Sequence, residues 1–304
     1  MTVLSTAVRD HRRAALFGIM DAHGLDALLL SGADWFEFAT NHAIAVQGWE
    51  RPYAMALTRD GRSAALLHDL SAAKIGIARE RGRLWLDETT FYSEVPQVAG
   101  SRPLLTQWTQ TFAGILSSFG LARGKAGVDA SPGFIAGLSQ PLPNLEFVPL
   151  GAALRLARWV KHADEIAVMR EAARISDWSI ARYREEIRPG RLLQELDHAI
   201  AAQTCAEAAR RFPGEDFQVL RFMTLSGASA AAAHGDGCTT GAVVLAGTVL
   251  VATCNLRLNG LSMENQCTFA IGKVEYRMRE LMKVALAANR AGLAAAVVGQ
   301  RVSG

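Results

Sequence analysis

The first half of the chain alternates helix-like with strand-like runs of apolar residues. Ala15, Leu16, Ile19 and Met20 fall at helical spacing; Ser5 or Thr6 can cap that helix, and Gly24 can end it. The run Ala27 to Leu30 predicts a short strand. Tyr53 to Thr58 and Ser63 to His68 flank Asp60-Gly61, a turn pair that predicts two paired strands. Pro103 stands where a first helical turn would begin, ahead of Leu104, Leu105, Trp108, Phe112, Ile115 and Leu116, and Gly120 closes that helix. Ser131-Pro132 opens another.

The texture changes around Val148 to Ala153, and a long amphipathic helix is expected from His162 to Ile187. Its apolar face is read as Ile166, Met169, Ala173, Ile175 and Ile180, and Pro189-Gly190 stops it. We place a domain boundary near residue 152, giving domains 1–152 and 153–304. A second helix runs from Leu192 to about Arg210, then strand-like Val219 to Leu225, then small residues up to His234. The stretch Gly241 to Leu256 is uncharged, but too short and too polar for a membrane span, and it reads as paired buried strands. An alanine-rich helix is expected from Glu275 onward.

Asn259-Gly260 between two apolar runs is a strong hairpin signal, since both turn residues must tolerate positive φ. That turn sets a register in which Leu258 faces Leu261, Asn255 faces Glu264 and Thr253 faces Gln266. Alternation then puts Leu261, Met263 and Phe269 on one face, with Ser262, Glu264, Gln266 and Thr268 on the other. Four polar groups on one face are costly to bury without partners, so that face is either solvated or lines a site.

Composition narrows the function classes. The chain is 304 residues long, half of it hydrophobic, with Lys and Arg interspersed among Asp and Glu to a net charge of +3. That suits a soluble two-domain protein and makes both nucleic acid and membrane poor partners. Cys205, Cys238, Cys254 and Cys267 have no metal-ligand spacing and are expected as reduced thiols in a cytoplasmic protein. Arg9, Asp10, Arg12 and Arg13 precede any apolar run, unlike a signal peptide.

Two segments could carry chemistry. His234 lies between small residues and glycines, which allow close approach to a ligand, and an unperturbed histidine titrates near neutrality as a general base should; a loop histidine without a role is the plainer alternative. Trp49-Glu50-Arg51-Pro52-Tyr53 joins an arginine fork suited to a carboxylate with an indole able to cover a ligand, or it is a surface arginine stacked on a tryptophan. His42 and His162 are taken as surface or capping groups.

Arg158, Lys161, Glu165, Ile166, Met169, Arg170, Ala172 and Ala173 resemble the run that opens the catalytic domain of the creatinase, prolidase and aminopeptidase P family. Leu225-Ser226-Gly227 leading to His234 is similar to the stretch that delivers the family's first active-site histidine, and the hairpin looks like the strand pair carrying its first two metal aspartates. The resemblance implies an α/β N-terminal accessory domain of creatinase type and an α+β pita-bread catalytic domain. Relatives continue past the last helix into segments bearing a second histidine and two glutamates, so a truncated catalytic domain is expected.

Thr253 and Glu264 occupy the positions of those aspartates. A neutral hydroxyl is a weak ligand for a bridged metal pair. Among the relatives, creatinase keeps the fold without metal, and ectoine hydrolase is a second metal-free comparison. The resemblance therefore implies a metal-free, cofactor-free hydrolase of a C–N bond in a small carboxylate-bearing nitrogen compound. His234 would move the proton, Glu264 with Gln266 nearby would hold or attack the cationic nitrogen centre, and Arg51 with Trp49 would grip the carboxylate across a homodimer. The alternatives are a metal-dependent Xaa-Pro peptidase and a non-catalytic binding remnant.

Overall fold

The computed structural model describes residues 3–44, 46, 48–93, 107–129, 132–231 and 237–301. The chain forms two compact units, residues 1–168 with 259–261, and residues 169–258 with 262–304. The boundary expected near residue 152 stands inside a short helix, Gly151–Ala157, and the division follows Val168. The reason is local to the first unit. Buried Arg12 donates from Nε and Nη2 to the Glu165 Oε1 atom at 2.9 and 2.8 Å, and the other carboxylate oxygen accepts the His162 backbone N–H at 2.8 Å. This capping box and ion pair hold the start of the long helix to the first unit.

The first unit runs α1 (Thr6–His23), β1 (Ala27–Leu30), α2 (Ala33–Thr40), β2 (Ala54–Thr58), β3 (Ser63–His68), α3 (Ala72–Glu80), β4 (Glu88–Tyr92), α4 (Trp108–Ser118), β5 (Arg123–Val128), α5 (Pro132–Ser139), β6 (Asn144–Pro149) and α6 (Gly151–Ala157). Its six strands form one mixed sheet in the order β4-β3-β2-β1-β5-β6. Strands β1 to β3 pair antiparallel, and β4, β5 and β6 join in parallel. Both sheet faces are covered. Leu29, Ala56 and Leu66 pack with Phe112 and Leu116 of α4, while Leu28, Leu30, Met55 and Leu67 pack with Leu16 and Met20 of α1.

Ser5, the expected cap of α1, accepts the Val8 backbone N–H, and Gly24 ends the helix at φ 61. The Asp60-Gly61 turn joins paired strands as expected, but only Gly61 has positive φ. The Asp60 carboxylate instead accepts from the Thr58 hydroxyl and from Arg62. The expected helix start at Pro103 lies outside the described residues, as does Ser131. His42, expected as a surface or capping group, is buried two residues past the end of α2.

The second unit contains most of α7 (Ala163–Glu186), then α8 (Leu193–Arg211), β7 (Phe217–Ser226), a short 3-10 turn (Gly227–Ala231), β8 (Val249–Leu258), β9 (Leu261–Ala270) and α9 (Tyr276–Ala295). The three strands form a sheet in the order β7-β8-β9. Of the stretch Gly241 to Leu256, only the part from Val249 is strand. Residues ahead of it form a loop in which Gly190 and Leu193 donate to the carbonyls of Val244 and Ala242.

The face of α7 also differs from the expectation. Ile166 is 41% exposed, and the buried stripe is Glu165, Val168, Ala172, Ile175, Ser176, Ser179 and Tyr183. Its period is helical, but four of its members, Glu165, Ser176, Ser179 and Tyr183, carry polar groups, and the first three are ones that hydrophobicity alone passes over. Each polar member but Ser176 has a visible partner: Glu165 has Arg12, the Ser179 hydroxyl meets that of Thr204 at 2.8 Å, and the Tyr183 hydroxyl donates to Asp197 at 2.7 Å.

Candidate functional site

The second unit's sheet has one closed and one open face. On the closed face, Leu250, Ala252 and Cys254 of β8 pack with Tyr183, Leu196 and Ile200 of the helices. Burial pushes the Cys254 thiol up to about 12, so it stays protonated and inert. At the centre of this layer the Asp197 carboxylate accepts from the Tyr183 hydroxyl, the Thr224 backbone N–H (3.0 Å) and the Thr224 hydroxyl (3.1 Å). Burial raises the Asp197 pKa and the hydrogen bonds oppose the rise.

The hairpin fixes what the open face displays. Asn259 and Gly260 have φ values of 47° and 81°, the pair of positive φ angles that a type I′ turn requires. Gln266 donates from Nε2 to the Thr253 hydroxyl at 3.0 Å, as the expected register demands. The two faces of β9 are told apart by burial: Leu261, Met263, Asn265, Cys267 and Phe269 are half-buried, while Ser262, Glu264, Gln266 and Thr268 are exposed. On the half-buried side Asn265 donates to Asp177 of α7 at 2.9 Å.

Strand β7 completes the face. Met223 pairs with Thr253, and Arg221 pairs with Asn255. Two rows therefore cross the open face: Met223–Thr253–Gln266 and, toward the hairpin turn, Arg221–Asn255–Glu264. Gly237 lies against the first of them, since a Cβ there would stand 3.7 Å from the Met223 sulfur. Thr253 is 5% exposed in this row, and Asn255 Oδ1 in the next is buried without a hydrogen-bond partner among the described residues.

Of the residues singled out from sequence, Thr253, Glu264 and Gln266 are brought onto one face. Trp49 and Arg51 belong to the first unit, where Trp49 is 85% exposed and Arg51 pairs with Glu50 at 2.7 Å. His234 lies outside the described residues. Arg221 and Asn255 were not singled out as site residues. Asn255 was legible from the hairpin register, whereas Arg221 depends on a bulge in β7 that no local pattern announces.

The donor set on this face does not fit a pair of divalent cations. It offers a buried neutral hydroxyl already engaged by Gln266, one exposed carboxylate, and an arginine in place of further anions. Among the described residues no three His, Cys, Asp or Glu side chains are grouped as metal ligands. Nor, among them, is any helix long and apolar enough to cross a membrane.

Comparison with known proteins places this geometry. Residues 167–303 match the model for metallopeptidase family M24. The uncharacterized peptidase YqhT of Bacillus subtilis (strain 168) is 25% identical over 186 residues, covering 61% of this chain; the chain spans 50% of that relative's length. Among solved structures, a prolidase from Thermococcus sibiricus superposes with a TM-score of 0.73 at 16% identity, covering 93% of this chain and 70% of that one. An X-Pro aminopeptidase from Thermotoga maritima MSB8 gives 0.71 at 13% identity, covering 91% and 70%. These neighbours are peptidases, and none of the three is a creatinase. The chain thus has the two-domain pita-bread fold of the M24 peptidases, and its second unit carries the segment similar to that family.

Proposed function

We propose that this protein is a hydrolase of C–N bonds related to the Xaa-Pro peptidases, acting on small peptides or peptide-like zwitterions. The observation that carries the reading is the M24 match over 167–303, which contains the whole open-faced sheet, together with likeness to Xaa-Pro peptidases along nine-tenths of the chain. These comparisons favour peptidase-type substrates over creatine-like ones.

A second reading, metal-free hydrolysis as in creatinase, is favoured by one local feature. Thr253, at one of the two positions where the resemblance puts an aspartate, is a neutral hydroxyl that accepts from Gln266. No catalytic step is therefore routed through a metal. On this second reading, His234 takes a proton from the attacking water and returns it to the leaving nitrogen. Glu264 faces the substrate's cationic nitrogen, and the buried Asn255 carbonyl oxygen accepts one of its N–H groups. Thr253 and Gln266 act as a neutral floor that fixes the spacing between β8 and β9. Arg51 and Trp49 remain candidates for gripping the carboxylate from a second subunit.

The test is hydrolysis of glycyl-proline and of creatine by the purified protein, with Mn²⁺ and with EDTA. Release of proline supports the leading reading, and insensitivity to EDTA supports metal-free chemistry. Turnover of neither compound under any condition overturns the hydrolase proposal.

A further inference from the structure

A bulge in β7 decides where Arg221 points. From Phe217 to Val219 the strand pairs one-to-one with Leu258 to Leu256; the register then shifts, so that Arg221 pairs with Asn255. Without the extra residue, Leu220 would oppose Asn255 and Arg221 would oppose Cys254, which is fully buried against the helices. The bulge therefore moves a guanidinium from the closed face to the open one, at the position of Leu220, which is left 46% exposed.

Arg221 is exposed and makes no ion pair or side-chain hydrogen bond with the described residues. Its guanidinium passes Gly237, where a Cβ would stand 4.0 Å from Nη2. Across the sheet from it stand Asn255 and then Glu264. Adjacent strands are about 4.8 Å apart, so cation and anion rise from backbones about 10 Å from each other with a neutral amide between. Arg257 is a further cation on this face, one row nearer the turn, opposite Gln218.

We infer that the row Arg221–Asn255–Glu264 is a subsite for a zwitterionic ligand, in which Arg221 takes the ligand's carboxylate and Glu264 its cationic nitrogen. This rests on the reading of the open face as the substrate face. It moves carboxylate recognition from Arg51 to a residue of the same sheet. An arginine fork binds a carboxylate by two parallel hydrogen bonds, so neutralising the carboxylate removes both together.

The experiment is calorimetric titration of the wild type, Arg221→Gln, Arg221→Lys and Arg51→Gln, each with its thermal melt recorded. The probes are glycyl-proline against glycyl-prolinamide, and creatine against its ethyl ester. The wild type should prefer a free carboxylate by at least about tenfold, Arg221→Gln should lose that preference, and Arg221→Lys should keep part of it. The inference is overturned if the wild type binds neither zwitterion, if it shows no preference, or if the preference survives Arg221→Gln and disappears in Arg51→Gln. Hydrolysis is followed in the same samples. An Arg221-dependent preference without hydrolysis sinks the enzymatic reading and leaves the subsite standing; hydrolysis without that dependence does the reverse.

Discussion

The two sheets of this protein solve opposite problems. Strands β1, β2 and β3 are buried along their whole length, with helices on both faces, and even the charged pair Arg12–Glu165 is sealed inside the first unit. In the second unit β9 alternates between half-buried and exposed at every residue, and Ser262, Glu264, Gln266 and Thr268 share the exposed face. A sheet closed on both sides has nowhere to display chemistry. A sheet closed on one side can hold its shape with one face and present side chains with the other, and this contrast points to the open face before any relative is consulted.

The contrast can be broken most sharply at the sealed pair. Glu165→Ala would leave Arg12 buried beside the Phe38 carbonyl and the Phe38 and Trp85 rings with no carboxylate partner among the described residues, and should cost about 3–5 kcal/mol in denaturant melts. A loss below about 1 kcal/mol would show that the first unit admits water at this point.

A smaller effect is expected from Asp197 on the closed face of the second unit. Its folded pKa is raised by burial, so the native state holds this proton more tightly than the unfolded chain does. Its contribution to stability is complete below the unfolded value of about 3.9 and is lost as pH rises through the folded pKa. Relative to Asp197→Asn, the wild type should therefore gain stability as pH is lowered from neutrality toward 4. Parallel urea-melt stabilities of the two proteins across that range would contradict the expectation.

The smallest effect belongs to the open face. Thr268→Ala removes an exposed side chain and should change stability by less than about 0.5 kcal/mol. A large loss would mean that this face is covered, and the distinction between the two sheets would fail there.

Much of this was legible from residues alone. Ser5 and Gly24 bound α1 as read, and Asn259-Gly260 set a register that the Gln266–Thr253 hydrogen bond bears out. The run Arg158 to Ala173 identified the resemblance, though several of its members are structural. Lys161 donates to the Arg158 carbonyl, Arg158 pairs with Asp34, and Glu165 caps α7 while holding Arg12. The failures share a cause. Ile166 was assigned to the core and Glu165 was not, because hydrophobicity predicts burial only while polar groups lack partners, and Arg12 lies 153 residues away in the chain.

What the sequence determined by itself is local: caps, turns, the period of each segment, and the alternation that gathers Ser262, Glu264, Gln266 and Thr268 on one side of β9. These follow from backbone sterics and side-chain direction, which act over a few residues. Tertiary structure alone decided which buried polar groups find partners, where the units divide, and that a bulge in β7 turns Arg221 from the helices toward the open face. Each of those depends on pairing with a distant strand or helix, whose register no nearby residue records.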